Sequence, residues 1–224
     1  MNKPVTKIRV ALVDDQPLFR AGIRMLIESQ ADMDLCGEAE NGEEAVELAF
    51  SRDADVILMD LRMPVLDGVA ATRKILGGDN GVSGRTTPKI IALTTFNRDQ
   101  AVIDAVRAGA SGYLLKSAEP EFLIAAIRTV HSGYAVIAPG SVEELFRENS
   151  PPTEPDISVL DCLSAREREV FLLAASGAGN SEIGGQLFIS EATVKSHLRS
   201  LLPKLGLRTR VQLIAFAYEH RLSG

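Results

Sequence analysis

Over its first 130 residues the chain alternates short apolar runs, at 7–13, 33–38, 55–60, 89–94 and 112–115, with amphipathic stretches near 17–29, 43–51, 68–77, 99–108 and 119–131. Apolar runs of that length read as strands covered on both faces, because a half-exposed strand would alternate polar and apolar residues. The stretches between them carry helical spacing, as in Leu18, Ile23, Leu26 and Ile27, which follow Pro17 in an opening turn. A strand–helix–strand rhythm has no hairpins in it, so neighbouring strands join through crossovers and lie parallel. The rhythm therefore predicts a five-stranded, parallel, doubly wound sheet with helices on both faces.

In such a sheet the functional groups gather at the carboxyl ends of the strands. Four of the five runs end in chemistry-bearing side chains. The run Ile8–Val13 is followed by Asp14-Asp15, Val56–Met59 by Asp60, the fourth by Thr94 and the fifth by Lys116. A carboxylate at the tip of a buried strand is costly unless a cation or hydrogen bonds compensate it. Three carboxylates, a hydroxyl and an amine together make an oxygen-rich cation site that contains a phosphoryl acceptor. Taken singly, Lys116 reads as a solvated strand-end lysine and Tyr113 as a half-buried sheet residue. The combination is what carries information.

At Asp14-Asp15, Asp60, Thr94 and Lys116, and in the segments Asp60-x-x-Met63-Pro64-x-x-Asp67-Gly68 and Gly109-Ala110-x-Gly112-Tyr113-Leu114-Leu115-Lys116, the sequence resembles the response-regulator receiver domain. The resemblance covers residues 7–131 and implies a flavodoxin-like fold. It also implies Asp60 as the phosphoryl acceptor, with the phosphoryl group supplied by a sensor histidine kinase. Mg²⁺ would be bound directly by Asp15 and Asp60, through water by Asp14, and by the backbone carbonyl of Arg62. Lys116 and Thr94 would hold the phosphoryl oxygens, and Thr94 with Tyr113 would form the switch. Transfer from phosphohistidine requires an acceptor oxygen, charge neutralisation and positioning, which these residue types supply. The chain departs from the pattern at Ser117, where many receivers carry a proline after a cis bond. A cis bond before serine costs about 2.5–4 kcal/mol, which leaves the Lys116–Ser117 geometry open. The segment 77–87 is also longer than in minimal receivers.

Prolines, glycines and polar residues without apolar periodicity fill residues 132–157, which reads as a linker with a short helix at 141–148. Residues 158–224 read as a second domain, and from Asp161 the pattern is wholly helical. Ser164 and Glu167 form a capping-box signature ahead of Val170, Leu173 and Ala174. A short helix is expected at 181–187, a longer one capped by Ser190 and running to about Lys204, and a last one over 208–221. The motif Leu163-Ser164-x-Arg166-Glu167-x-Glu169-Val170, with Asn180-x-Glu182-Ile183, Thr193-Val194-Lys195-x-His197 and Lys204-Leu205-Gly206, resembles the LuxR-type helix-turn-helix. A receiver joined to this output is the architecture of the NarL/FixJ family. It implies an all-α, four-helix DNA-binding domain.

On the helix from 190, Val194, Leu198, Leu201 and Leu205 form one apolar stripe. Lys195, Ser196 and Arg199 fall outside it and are the expected base-edge readers. Thr193, His197, Lys204 and Arg208 are expected nearer the DNA backbone or in helix packing. Residues 190–210 carry five basic side chains against one acidic, in a chain of net charge −6. That bias suits a polyanion. Two features strain the pattern. Gly184-Gly185 stand in a helix at about 1 kcal/mol each relative to alanine, and Pro203 removes a hydrogen bond from the last turn of the recognition helix, which leaves open whether that helix kinks or ends early near Leu201.

The remaining composition excludes other classes. No apolar stretch reaches the roughly 18 residues that span a bilayer, and residues 1–7 lack a signal-peptide core. The chain is therefore expected in the cytoplasm and away from membranes. Cys36 and Cys162 lie far apart and read as reduced thiols, and His131, His197 and His220 have no metal-ligand spacing. No substrate-pocket motif accompanies the self-phosphorylating site, so the chain is not expected to be a stand-alone enzyme. The leading expectation is a transcriptional response regulator that dimerises on phosphorylation and binds an inverted repeat in promoter DNA. The competing one is a phosphorelay module whose helical domain binds protein.

Overall fold

The computed structural model describes residues 7–77, 87–95, 100–137 and 155–222. The chain forms two compact units, Met1–Ala138 and Pro139–Gly224. In the first, strands β1 (Ile8–Val13), β2 (Met33–Ala39), β3 (Val56–Asp60), β4 (Lys89–Thr94) and β5 (Gly112–Leu115) alternate with helices α1 (Pro17–Glu28), α2 (Gly42–Ser51), α3 (Gly68–Gly77), α4 (Gln100–Ala108) and α5 (Pro120–His131). The strands are parallel, in the order β2-β1-β3-β4-β5, and a two-residue strand β6 (Val136–Ile137) extends the sheet beyond β5. The sixth strand lies inside the stretch expected as linker, and two residues are too few to show a period. Gly112 admits it: a Cβ there would come within 2.6 Å of the Val136 carbonyl oxygen.

Period-two alternation divides the apolar side chains between the two faces of the sheet. Val10, Leu12, Val56 and Leu58 pack on one face with Ile27 of α1 and Leu123, Ile124 and Ile127 of α5. Ala11, Val13, Ile57 and Met59 pack on the other with Ala45 and Leu48 of α2 and Ala71 and Ile75 of α3. Every residue of β3 is buried, Asp60 included. The strand order reverses at β1, which pairs with both β2 and β3. That switch point opens a crevice at the strands' carboxyl ends.

The second unit is helical: a 3₁₀ turn (Ile157–Leu160), then α6 (Ala165–Ala175), α7 (Asn180–Leu187), α8 (Glu191–Lys204) and α9 (Arg210–Glu219). Ser164 and Glu167 do form a capping box on α6, and Ser190 caps α8 by accepting from the Thr193 N–H. Gly177 and Gly206, at φ 89° and 71°, end α6 and α8. The core joins Val170, Phe171 and Ala174 to Ile183, Val194, Leu198, Leu201 and Leu213. The helix does not end early at Leu201: α8 continues through Pro203 to Lys204, the end expected from the sequence. The helix closes because the Leu205 N–H still reaches the Leu201 and Leu202 carbonyls at 3.2 Å and Leu207 reaches Leu202 at 2.8 Å. The short helix expected at 141–148 lies outside the described residues.

Candidate functional site

The side-by-side placement of β1 and β3 brings Asp14 and Asp60 together. Both are buried, and with exposed Asp15 their carboxylate oxygens lie within 4.8 Å of one another. Lys116, just past β5, extends into this cluster. Its Nζ lies 2.8 Å from Asp60 Oδ2 and 2.7 Å from Asp14 Oδ2. The Asp60 contact is a directed hydrogen bond, whereas the Asp14 contact lacks that alignment and is a charge contact. The Lys116 ammonium also stands 5.0 Å from the centroid of the Phe19 ring, within cation–π range.

One ammonium therefore serves two buried carboxylates. Burial pushes the Asp60 carboxyl above the ordinary carboxylate range and Asp14 adds repulsion, against the hydrogen bonds from Lys116 and the Arg62 N–H. Burial pulls Lys116 down, but its close contacts to the Asp14 and Asp60 carboxylates and their charge outweigh it and hold the amine protonated above its usual range. The cluster is an anionic pocket with one cationic side chain set into it. The donors fit a hard divalent cation, because three carboxylates converge and a cationic group already stands between two of them.

Thr94, at the end of β4, is buried, and its carbonyl accepts from the Lys116 N–H at 2.7 Å. Tyr113 pairs in register with Ala92 and is wholly buried rather than half-buried. The Lys116–Ser117 peptide is trans. Asp67-Gly68 has a packing reason: a Cβ at Gly68 would lie 2.0 Å from the carbonyl oxygen of Asp60. The start of α3 thus rests on the backbone of the candidate acceptor. Sequence reading missed Arg20, a buried guanidinium whose Nη1 donates to the Asp14 carbonyl at 2.6 Å while Nη2 pairs with Glu40. An arginine one residue after Phe19 on an amphipathic helix gave no sign of facing inward.

In the helical unit, Lys195, Ser196 and Arg199 are exposed along α8, and with Ala192 they make an i, i+3, i+4, i+7 stripe. Val194, Leu198 and Leu201 face the core from the other side. Lys195 pairs with Glu191 at 3.3 Å, an exposed i,i+4 contact that a phosphate can displace. Thr193 Oγ1 lies 2.8 Å from the Ser190 hydroxyl and so belongs partly to the cap. His197 is half-buried and Arg208 exposed, with the Arg208 N–H donating to Gln212 Oε1 at 2.7 Å. Lys204 is placed differently: its Nζ lies 2.7 and 2.8 Å from the oxygens of buried Glu167. Gly184 also has a reason to be glycine, since a Cβ would come within 2.7 Å of the Ile189 carbonyl oxygen in the turn, whereas Gly185 faces open space.

Residues 10–128 match the model of the response regulator receiver domain, and residues 161–217 match that of the bacterial regulatory proteins of the luxR family. The chain belongs to the NarL/FixJ family of two-component response regulators. It is 41% identical over 221 residues to the uncharacterized transcriptional regulatory protein YxjL of Bacillus subtilis, covering 97% of each chain. It is 36% identical over 216 residues to the nitrate/nitrite response regulator NarL of Escherichia coli K12, covering 95% of this chain and 96% of NarL. Among solved structures it is similar to the response regulator ChrA of a heme-sensing two-component system (34% identity, 96% and 98% coverage, TM-score 0.50). It is also similar to RcsB in a structure of two dimers bound to two parallel DNAs (26% identity, 96% and 99% coverage, TM-score 0.55). The family reading makes this chain a regulator of transcription with a receiver and a LuxR-type DNA-binding domain. No described helix is long and apolar enough to cross a membrane.

Proposed function

We propose that Asp60 takes a phosphoryl group from the phosphohistidine of a sensor histidine kinase, and that the phosphorylated chain binds promoter DNA as a homodimer on an inverted repeat, in the cytoplasm where the DNA is. The observation that carries the first half is the Lys116 ammonium held between two buried carboxylates at the tips of adjacent strands. Such a group is already placed to meet an incoming anion. An Asp60 oxygen attacks phosphorus, the P–N bond breaks, and the imidazole leaves with the electron pair. Lys116 then turns from the carboxylates to the phosphoryl oxygens, and the Thr94 hydroxyl donates to one of them. Asp14, Asp15, Asp60 and the Arg62 carbonyl would hold Mg²⁺, which when bound neutralises phosphoryl charge. Thr94 and Tyr113 carry the signal: the charge on Asp60 decides whether the hydroxyl is drawn inward and the ring keeps its buried position.

For the second half, the exposed stripe of α8 supports base-edge contact by Lys195, Ser196 and Arg199, with Thr193, His197 and Arg208 toward the DNA backbone. The chain's own catalysis is confined to phosphoryl uptake, with no separate substrate. Incubation with a small phosphodonor and Mg²⁺ should label wild type and leave Asp60→Asn unlabelled. Label that persists on Asp60→Asn would refute the acceptor assignment. Lys195→Ala and Arg199→Ala should phosphorylate normally and each lower DNA affinity, with a shallower salt dependence.

A further inference from the structure

The Glu167 carboxylate is heavily engaged by its neighbours in the helical unit. Its oxygens accept from the Ser164 N–H at 2.9 Å, the Ser164 hydroxyl at 3.0 Å, the Ser200 hydroxyl at 2.7 Å and the Lys204 ammonium at 2.7 and 2.8 Å. It lies in the first turn of α6 and is buried, while Ser200 and Lys204 lie four residues apart on α8. One carboxylate thus ties two points, a helical turn apart, on the recognition helix to the cap of another helix. We infer that Glu167, acting through Ser200 and Lys204, is a positioning residue that sets the rotation and axial height of the recognition helix, and that Lys204 is held in this clamp rather than placed on a DNA phosphate.

The geometry argues for this in two ways. The apolar stripe of Val194, Leu198 and Leu201 fixes α8 against the core, but side chains of that kind tolerate sliding and small rotation. Directed, charge-assisted hydrogen bonds do not. At about 100° per residue, Ser200 lies about 40° from Ser196 on one side and about 40° from Lys204 on the other, and Arg199 lies about 100° from Ser200. The clamp therefore borders the exposed stripe of Lys195, Ser196 and Arg199, where a small rotation would misdirect every base-edge contact. Two of the three N–H groups of the Lys204 ammonium are given to the Glu167 carboxylate, which anchors the amine in the clamp although the side chain is partly exposed. Lys204→Met in isolation would not separate the two roles, which is why the salt dependence matters.

The inference rests on the DNA-binding reading, and the test separates the two. Full-length phosphorylated wild type, Glu167→Gln, Ser200→Ala, Lys204→Met and the Glu167→Gln/Lys204→Met double variant are titrated against a duplex selected from a random pool on wild type, and against a scrambled duplex. Salt is varied, and the temperature is one at which circular dichroism shows each variant folded. The clamp predicts that Glu167→Gln and Lys204→Met each lose about tenfold on the selected duplex, comparable to one mismatched base pair. Ser200→Ala, which keeps the charge pair, should lose less. The double variant should lose no more than either single one. Affinity for the scrambled duplex and the salt slope should stay at the wild-type values. If Lys204→Met lowers the salt slope by about 1, Lys204 is a phosphate contact and the inference fails. It also fails if Glu167→Gln binds as wild type does or more tightly. Should Glu167→Gln not fold, Ser200→Ala and the slope of Lys204→Met still decide. Wild type with no salt-dependent binding to either duplex would instead overturn the DNA-binding reading.

Discussion

At the scale of single residues, the candidate acceptor pocket is built by backbone proximity as much as by charge. Gly68 shows this: α3 begins so close to Asp60 that a methyl group at 68 would sit 2.0 Å from the Asp60 carbonyl oxygen. Gly68→Ala should therefore push β3 and α3 apart, cost about 1–3 kcal/mol in chemical denaturation, and slow phosphoryl uptake without touching a charged group. Unchanged stability would show that α3 does not rest on the acceptor strand. The acids, Thr94 and Lys116 were legible in the sequence because polar groups at the tips of apolar strands are expensive and so conspicuous. Arg20 and Phe19 were not. They sit on a helix whose neighbours are mixed, and only the fold turns the Arg20 guanidinium onto Asp14 and the Phe19 ring under Lys116.

At the scale of elements, the two glycines of α7 look equivalent in sequence and are opposite in structure. Gly184 faces the Ile189 carbonyl oxygen at a distance no Cβ can occupy, whereas Gly185 has nothing within 4 Å and an ordinary helical backbone. Gly184→Ala should destabilise the helical unit by about 1–3 kcal/mol, and Gly185→Ala should stabilise it by about 0.5–1 kcal/mol. Thermal unfolding of both variants checks this, and equal effects would contradict the turn geometry. The helix boundaries, caps and apolar stripe were readable because each has a local signature. The survival of α8 through Pro203 was not, since its closing bonds depend on where the following loop turns. Glu167 was read only as a capping residue, and its reach to Ser200 and Lys204 needed the tertiary fold. Hydrogen bonds from Lys204 first, then from Ser200 and the Ser164 N–H, hold its carboxyl down from 4.5 to about 2. A depressed acid stabilises fully above its unfolded value and loses that contribution as pH falls through the folded one. With Lys204 partly in water, the contribution is on the order of 1–2 kcal/mol. The stability gap between wild type and Glu167→Gln should accordingly be constant above about pH 5 and close between about pH 4.5 and 2. A gap that persists at pH 2 would mean the loss is one of shape rather than charge.

At the scale of the whole molecule, the chain separates its two chemistries by charge and by core. Residues from Asp161 onward carry eight Lys and Arg against six Asp and Glu, a net +2, so the remainder of a chain at −6 carries −8. On the proposed function the acidic part would hold the cation and phosphoryl chemistry, and the basic part would present its exposed stripe to a polyanion. Each part also has its own apolar core: the sheet's two faces with their helices in one, and α6 to α9 in the other. Units that each have a core of their own should unfold as separate cooperative transitions. Calorimetry of the full chain is then expected to resolve two transitions, and the variants above assign them. Gly68→Ala should lower one and Gly184→Ala the other, and the double variant should show both shifts at their single-variant sizes, because sites without shared partners add. Adding a phosphodonor with Mg²⁺ should raise the transition that Gly68→Ala lowers, since a ligand that binds only the folded unit stabilises it. A selected DNA duplex should raise the other on the same grounds. A single transition that moved with both substitutions would show that the two units fold as one.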